Sequence, residues 1–151
     1  MKVLIGISAS LLFLAFYSTT LFSQTVADRS QIWQECMNIF ELQDHILGDL
    51  AGSDLPVYVV DGAVAFPGGT GLTSFGRRVE ALAADPVDEA GIAVYFRFDK
   101  LEVLGNSATV DFSLSFRDDL SEGSFRTLHV LAEMQKTPNG WSVKEKTLEE
   151  E

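Results

Sequence analysis

Hydrophobic residues change their spacing along this chain, and each change predicts a different element. Residues 3–16 are apolar except for small Gly and Ser, after a short basic start at Met1-Lys2. Tyr17, a Ser18-Thr19-Thr20 cluster and Leu21-Phe22-Ser23-Gln24 follow. A basic start, an apolar middle and a small-residue exit form the pattern of an export signal over 1–24, with cleavage near Ser23 or near Ala27. The segment is apolar all round, whereas a helix lying on a domain shows one apolar stripe. The stretch 3–22 matches the ~20 residues that span a bilayer, so an uncleaved signal would act as a membrane anchor.

From Asp28 the spacing becomes helical. Asp28 and Gln31 have the form of a capping box. Ile32, Cys36, Ile39, Phe40, Ile46, Leu47 and Leu50 then fall in one arc, with Trp33 at its margin. Gly52 supplies a stop, so the pattern predicts one helix over 29–50, bent near Gly48. Residues 56–66 (PVYVVDGAVAF) read as two short extended pieces around an Asp61-Gly62 hairpin turn. After a Gly-rich loop at 67–71, Phe75, Val79 and Leu82 recur at i, i+4 and i+7. With Thr73 as N-cap and Pro86 as terminator they predict a second helix over 72–85.

The second half alternates with a period of two. Residues 92–104 and 108–117 flank Gly105-Asn106-Ser107, and pairing Leu104 with Ala108 places Phe98 opposite Leu114 and Phe96 opposite Phe116. A slip of one residue would exchange inner and outer faces, so the pattern specifies the register. The last hairpin joins 125–136 to 141–148 across Thr137-Pro138-Asn139-Gly140, pairing Met134 with Val143 and Glu133 with Lys144. Phe96, Phe98, Val110, Phe112, Leu114, Phe116, Leu128, Val130 and Met134 are the expected core face. The other face is expected to carry Tyr95, Leu101, Val103 and Leu131 among Arg97, Asp111, His129 and Glu133.

Charge narrows the function. The net charge is -11, and loss of Lys2 with the signal would make it -12. So acidic a chain is repelled by phosphate backbones and anionic lipid surfaces, which argues against nucleic-acid binding. Cys36 is the one cysteine, so no internal disulfide forms, and its place between Ile32 and Phe40 predicts a buried thiol. The Gly-rich loop lacks the Gly-Lys-Ser/Thr ending of a phosphate loop, and no His, Cys, Asp or Glu spacing matches a zinc or calcium motif. No metal or other cofactor is expected.

The element order, from the helix opening at Ile32-Trp33 to the closing strand after Asn139-Gly140-Trp141, resembles the nuclear transport factor 2-like superfamily and its SnoaL-like members. A cystatin-like domain shares the helix-then-hairpins order without a second helix. The resemblance implies an α+β domain over 28–151 in which a curved antiparallel sheet wraps N-terminal helices into a cone. Two functional alternatives follow, the first from the export signal, the apolar concave face and the absence of a convergent acid/base set, the second from the resemblance to SnoaL-like enzymes. One is an exported, periplasmic or secreted, non-catalytic module that binds a small apolar ligand or a protein. The other is a cofactor-independent isomerase or hydrolase with a small pocket. Gln43, on the apolar arc, and Tyr58 and Asp61, at the expected rim, are the pocket candidates; no residue is assigned a catalytic role. A hydrogen bond to nearby backbone also explains Gln43, and the turn explains Asp61 without any chemistry. Domains of this kind often pair sheet to sheet, so the outer face is the expected surface of a homodimer.

Overall fold

The structure, a computed structural model, describes residues 26–48, 54–67, 71–82, 92–117 and 124–151. The export signal, Leu50 and the end of the expected second helix lie outside them. The architecture is α+β: a curled sheet of seven strands, forming a half-barrel, packs against short helical segments. In chain order these are α1 (Val26–Cys36), a 3₁₀ turn (Phe40–Leu42), α2 (Gln43–Leu47), β1 (Val57–Val60), β2 (Thr73–Ser74), β3 (Arg77–Leu82), β4 (Val94–Leu104), β5 (Ser107–Phe116), β6 (Arg126–Thr137) and β7 (Gly140–Glu150). The spatial order is β2-β3-β1-β4-β5-β6-β7. The sheet is mixed rather than wholly antiparallel, because β1 runs parallel to both β3 and β4.

The expected helix 29–50 is broken after Cys36. Asn38 accepts a hydrogen bond from Phe75 N–H through Oδ1 (2.7 Å) and donates from Nδ2 to Gln34 O and Thr73 O, while Ser74 Oγ donates to Met37 O (2.7 Å). β2 therefore supplies partners for backbone and side chains where the helix would have continued. The break rotates the following residues. Phe40, expected inside, is 75% exposed, whereas Trp33, expected at the margin, is buried. Asp28 lies within α1 rather than before it: its Oδ1 accepts from Trp141 Nε1 (3.0 Å) and Lys136 Nζ (2.8 Å), clasping the helix to the β6–β7 hairpin.

Two further expectations are overturned. Asp61-Gly62 makes no hairpin, since β1 pairs in parallel on both sides and the chain leaves it without folding back. Gly62 is required for another reason: a Cβ there would lie 2.6 Å from Phe98 O. Residues 72–82 of the second expected helix form the β2–β3 hairpin, turned at Phe75-Gly76 with positive φ at both positions. Val79 sits beside Val57 and packs on the main core, while Leu82 sits beside Val60 on the opposite face. A strand with apolar contacts on both faces thereby imitates helical spacing.

The long hairpins keep their predicted inner faces through altered registers. The β4–β5 turn is one residue tighter than expected, with Leu104 opposite Ser107, and a bulge at Asp99 adds a second residue of offset. Phe96 therefore faces Leu114 and Phe98 faces Phe112. The two shifts cancel in parity, so the phenylalanines stay inside. Leu101 and Val103, beyond the bulge, turn inward from the outer face assigned to them. In β6–β7 the turn register is as predicted and Met134 faces Val143, but a bulge at Lys144 sets Glu133 opposite Glu145. All nine predicted core residues of β4–β6 are buried in one cluster with Ile32, Trp33, Cys36, Met37 and Leu42 from the helical segments.

Candidate functional site

The helix-covered face of the sheet is occupied by its own side chains. Phe98 and Phe112 stack at 4.9 Å, Trp33 lies 3.6 Å from the Phe98 ring centroid, and Phe66 meets the Trp33 ring edge-on at 5.3 Å. Cys36 is buried there. Burial, with a smaller push from the Glu35 charge, raises its thiol far above the ordinary range and holds it protonated. Gln43 is half-buried at the start of α2, where its backbone N–H donates to Phe40 O. Tyr58 is half-buried on the other side of the sheet, against the cluster of Val60, Ile92 and Tyr95. Asp61 is exposed just past β1, its backbone N–H donating to Leu82 O (3.2 Å). Gln43 and Tyr58 thus sit on opposite sides of the sheet, and none of the three lines the hollows described below.

The other face, which none of the described helices covers, carries the polar chemistry, and the register orders it in rows. One row runs Arg97, Ser113, His129, Glu149. The next runs Lys100, Asp111, Leu131, Thr147, and a third Glu102, Thr109, Glu133, Glu145. With Asp99 at the bulge and Glu151 beside His129, seven carboxylates share the β4–β7 part of this face with Arg97, Lys100 and a histidine. Lys100 Nζ is 2.9 Å from Glu102 Oε2, and that hydrogen bond, together with the charges of Glu102 and Asp111, raises the lysine above its ordinary range. Glu133 and Glu145 lie directly opposite one another, a like-charge pair that disfavours the hairpin.

Two open hollows meet at His129. One, of about 330 Å³, is lined by Asp111, His129, Leu131, Thr147 and Glu149. The other, of about 250 Å³, has Arg97, Asp99, Ser113, Thr127, His129 and Glu151 in its walls. His129 Nε2 lies 3.5 Å from Glu151 Oε2. Neither hollow is closed from solvent, as acid/base catalysis would require, but both present acceptors to a cationic group arriving from outside. Among the described residues, no cluster of three or more His, Cys, Asp or Glu is placed to hold a metal ion.

Sequence reasoning placed Arg97, Asp111, His129 and Glu133 on this face and missed most of its acids. The signal was present: Glu145, Thr147 and Glu149 alternate along β7, and reading that alternation through the hairpin would have set them beside Glu133, Leu131 and His129. The terminal acids pass for an ordinary solvated tail until β7 is seen to run to Glu150. No family model matches the chain, and neither a curated protein nor a solved structure is significantly similar to it.

Proposed function

We propose that this is an exported, non-catalytic interaction module, built as a nuclear transport factor 2-like cone, whose uncovered sheet face receives a basic protein segment. One observation carries the reading: the face opposite the filled core gathers Asp99, Glu102, Asp111, Glu133, Glu145, Glu149 and Glu151 around two hollows. Lysine or arginine side chains entering the hollows would meet carboxylates and hydroxyls, and Leu131, 47% exposed, offers their methylenes an apolar contact. They would also relieve the repulsion between Glu133 and Glu145. The cone-like reading is supported by the curled sheet with helical segments packed on one side.

A second copy laid face to face would bring two acidic surfaces together, so charge favours a basic partner over a homodimer. Titrating the full chain with a peptide of alternating lysine and threonine tests this. Saturable binding at low salt, weakened about tenfold at high salt, is expected. Joint replacement Asp111→Asn, Glu133→Gln and Glu149→Gln should abolish it, while Asp54→Asn with Asp61→Asn should not. Equal loss in both variants would defeat the assignment to this face. Light scattering that shows a dimer separated by Leu131→Glu would replace the basic partner with a second copy.

A further inference from the structure

The two edges of the sheet are finished differently. β2, at one end, is two residues long and offers little backbone to pair with. β7, at the other, runs for eleven residues, and among the described residues no strand lies on its far side. α1 lies against the start of β7, with Gln31 beside Gly140 and Asp28 bonded to Trp141. Past the bulge at Lys144 the pairing with β6 is regular to Glu150, and every side chain from Glu145 to Glu150 except Leu148 is exposed. Glu151 N–H donates to Thr127 O, so with a period of two Glu145, Thr147 and Glu149 turn their backbone groups to β6. Lys146, Leu148 and Glu150 turn their N–H and C=O groups to the open edge. The side chains sort the same way. Lys146, Leu148 and Glu150 stand beside the buried Ala132, Val130 and Leu128 on the core side, whereas Glu145, Thr147 and Glu149 stand on the acidic face.

We propose that the basic partner binds as an added strand, antiparallel to β7 along residues 145–150; this rests on the reading of the acidic face as a receiver of basic segments. A run of this length is an ordinary strand. The pairing fixes the chemistry of the partner. In an antiparallel pair, residues that exchange hydrogen bonds lie directly opposite and project to the same side. Partner residues bonded to Lys146, Leu148 and Glu150 therefore project to the core side, where an apolar side chain meets Leu148, itself packed on the core. The residues between them project onto the acidic face beside Glu145 and Glu149, where lysine or arginine makes opposite-charge pairs across the strands. The recognised segment is thus extended, with basic residues alternating with Val, Ile or Leu. Main-chain bonds supply its affinity and the alternation its specificity. A second copy suits the edge less well: self-pairing centred on Leu148 sets Glu145 of each chain opposite Glu151 of the other, acid upon acid.

Calorimetry and hydrogen-exchange NMR on the full chain with short peptides test the proposal. A peptide alternating lysine and valine should bind about tenfold tighter than one of the same composition with its lysines and valines in separate blocks. Methylating a central valine backbone nitrogen removes a donor aimed at β7 and should weaken binding about tenfold, whereas methylating a central lysine nitrogen, which faces away, should change it by less than about twofold. On binding, the N–H groups of Lys146, Leu148 and Glu150 should gain protection from exchange, while those of Glu145, Thr147 and Glu149, already turned to β6, should change little. Lys146→Pro removes one edge donor where an edge strand tolerates proline and should weaken binding about tenfold, with Lys146→Ala within about twofold of the unmodified chain. Because the proline variant could fail to fold, the methylated peptides decide on the unmodified chain. Equal affinity of the two, or no gain of protection at Lys146, Leu148 and Glu150, overturns strand addition while leaving a basic segment on the acidic face. If neither the alternating nor the blocked peptide binds, both readings fall. A dimer in light scattering that Lys146→Pro separates would seat a second copy on this edge and also overturns the proposal.

Discussion

Alternate residues of β4–β7 build two surfaces that share a backbone and little else. On the inner one, Phe96, Phe98, Val110, Phe112 and Leu114 have no measurable exposure. On the outer one, Asp99, Glu102, Glu133, Glu145 and Glu149 are all exposed. The inner surface obtains its energy from contact with the rest of the chain. The outer surface carries charge that brings the isolated fold little and is costly where Glu133 meets Glu145. Stability and recognition are therefore separable by position along the same strand, and the two bulges keep that separation intact where the hairpin turns would otherwise spoil it.

The largest effect should come from removing an inner ring. Phe98→Ala is expected to cost about 3–5 kcal/mol in urea unfolding, whereas Leu131→Ala, next to it in kind but outside, should change stability by less than about 0.5 kcal/mol. Comparable losses would erase the distinction between the faces. Inserting an alanine between Lys100 and Leu101 attacks the parity that maintains it. Leu101 and Val103 would then turn outward, and exposing two partly buried side chains should cost about 2–4 kcal/mol, with altered amide shifts confined to the β4–β5 end. Deleting Asp99 instead sets Lys100 directly after Phe98 and should leave both side chains inward. Unchanged shifts in the insertion variant would mean that the turn absorbs the extra residue.

The buried thiol gives a smaller effect that depends on pH. Folding raises the Cys36 pKa, so its contribution is fully present below the unfolded value of about 8.5 and is lost as pH rises above it. Between the wild-type chain and Cys36→Ala, the difference in unfolding free energy should narrow at up to about 1.4 kcal/mol per pH unit above pH ~9. Parallel curves would place the thiol in water. Smallest of all, Glu133→Gln should stabilise the chain by about 0.2–1 kcal/mol at low salt and by less at high salt, because it ends the repulsion with Glu145. Destabilisation would show that this carboxylate has a partner in the fold.

How much of this was legible in the sequence follows from what each residue had to satisfy. The phenylalanines of β4 and β5 alternate strictly and are buried on one side, so their face was readable even though the register was not: the tight turn and the Asp99 bulge shift it without altering parity. Thr137 to Gly140 combines turn chemistry with the Met134–Val143 pair, and that hairpin was readable down to its register at the turn. Residues 72–82 were not, because Val79 and Leu82 pack on opposite faces of a short strand and their spacing matches a helix. Nor was the break after Cys36, which depends on Asn38 donating to Thr73 O and accepting from Phe75 N–H, residues far along the chain. The pocket candidates Gln43, Tyr58 and Asp61 were chosen for an expected rim that depended on these misread segments. The acids of the outer face needed β7 to be followed to its end.

The clasp at Asp28 bears on the order of events during synthesis. Its partners Lys136 and Trp141 come 108 and 113 residues later, so α1 leaves the ribosome long before the hairpin that receives it exists. The Trp33 side of the helix must wait, uncovered, for Phe98 and Phe112 as well. Such long-range closure delays folding and leaves an apolar helix face open to other contacts in the interval. A nascent chain stalled before residue 136 is therefore a chain without the two residues that clasp Asp28.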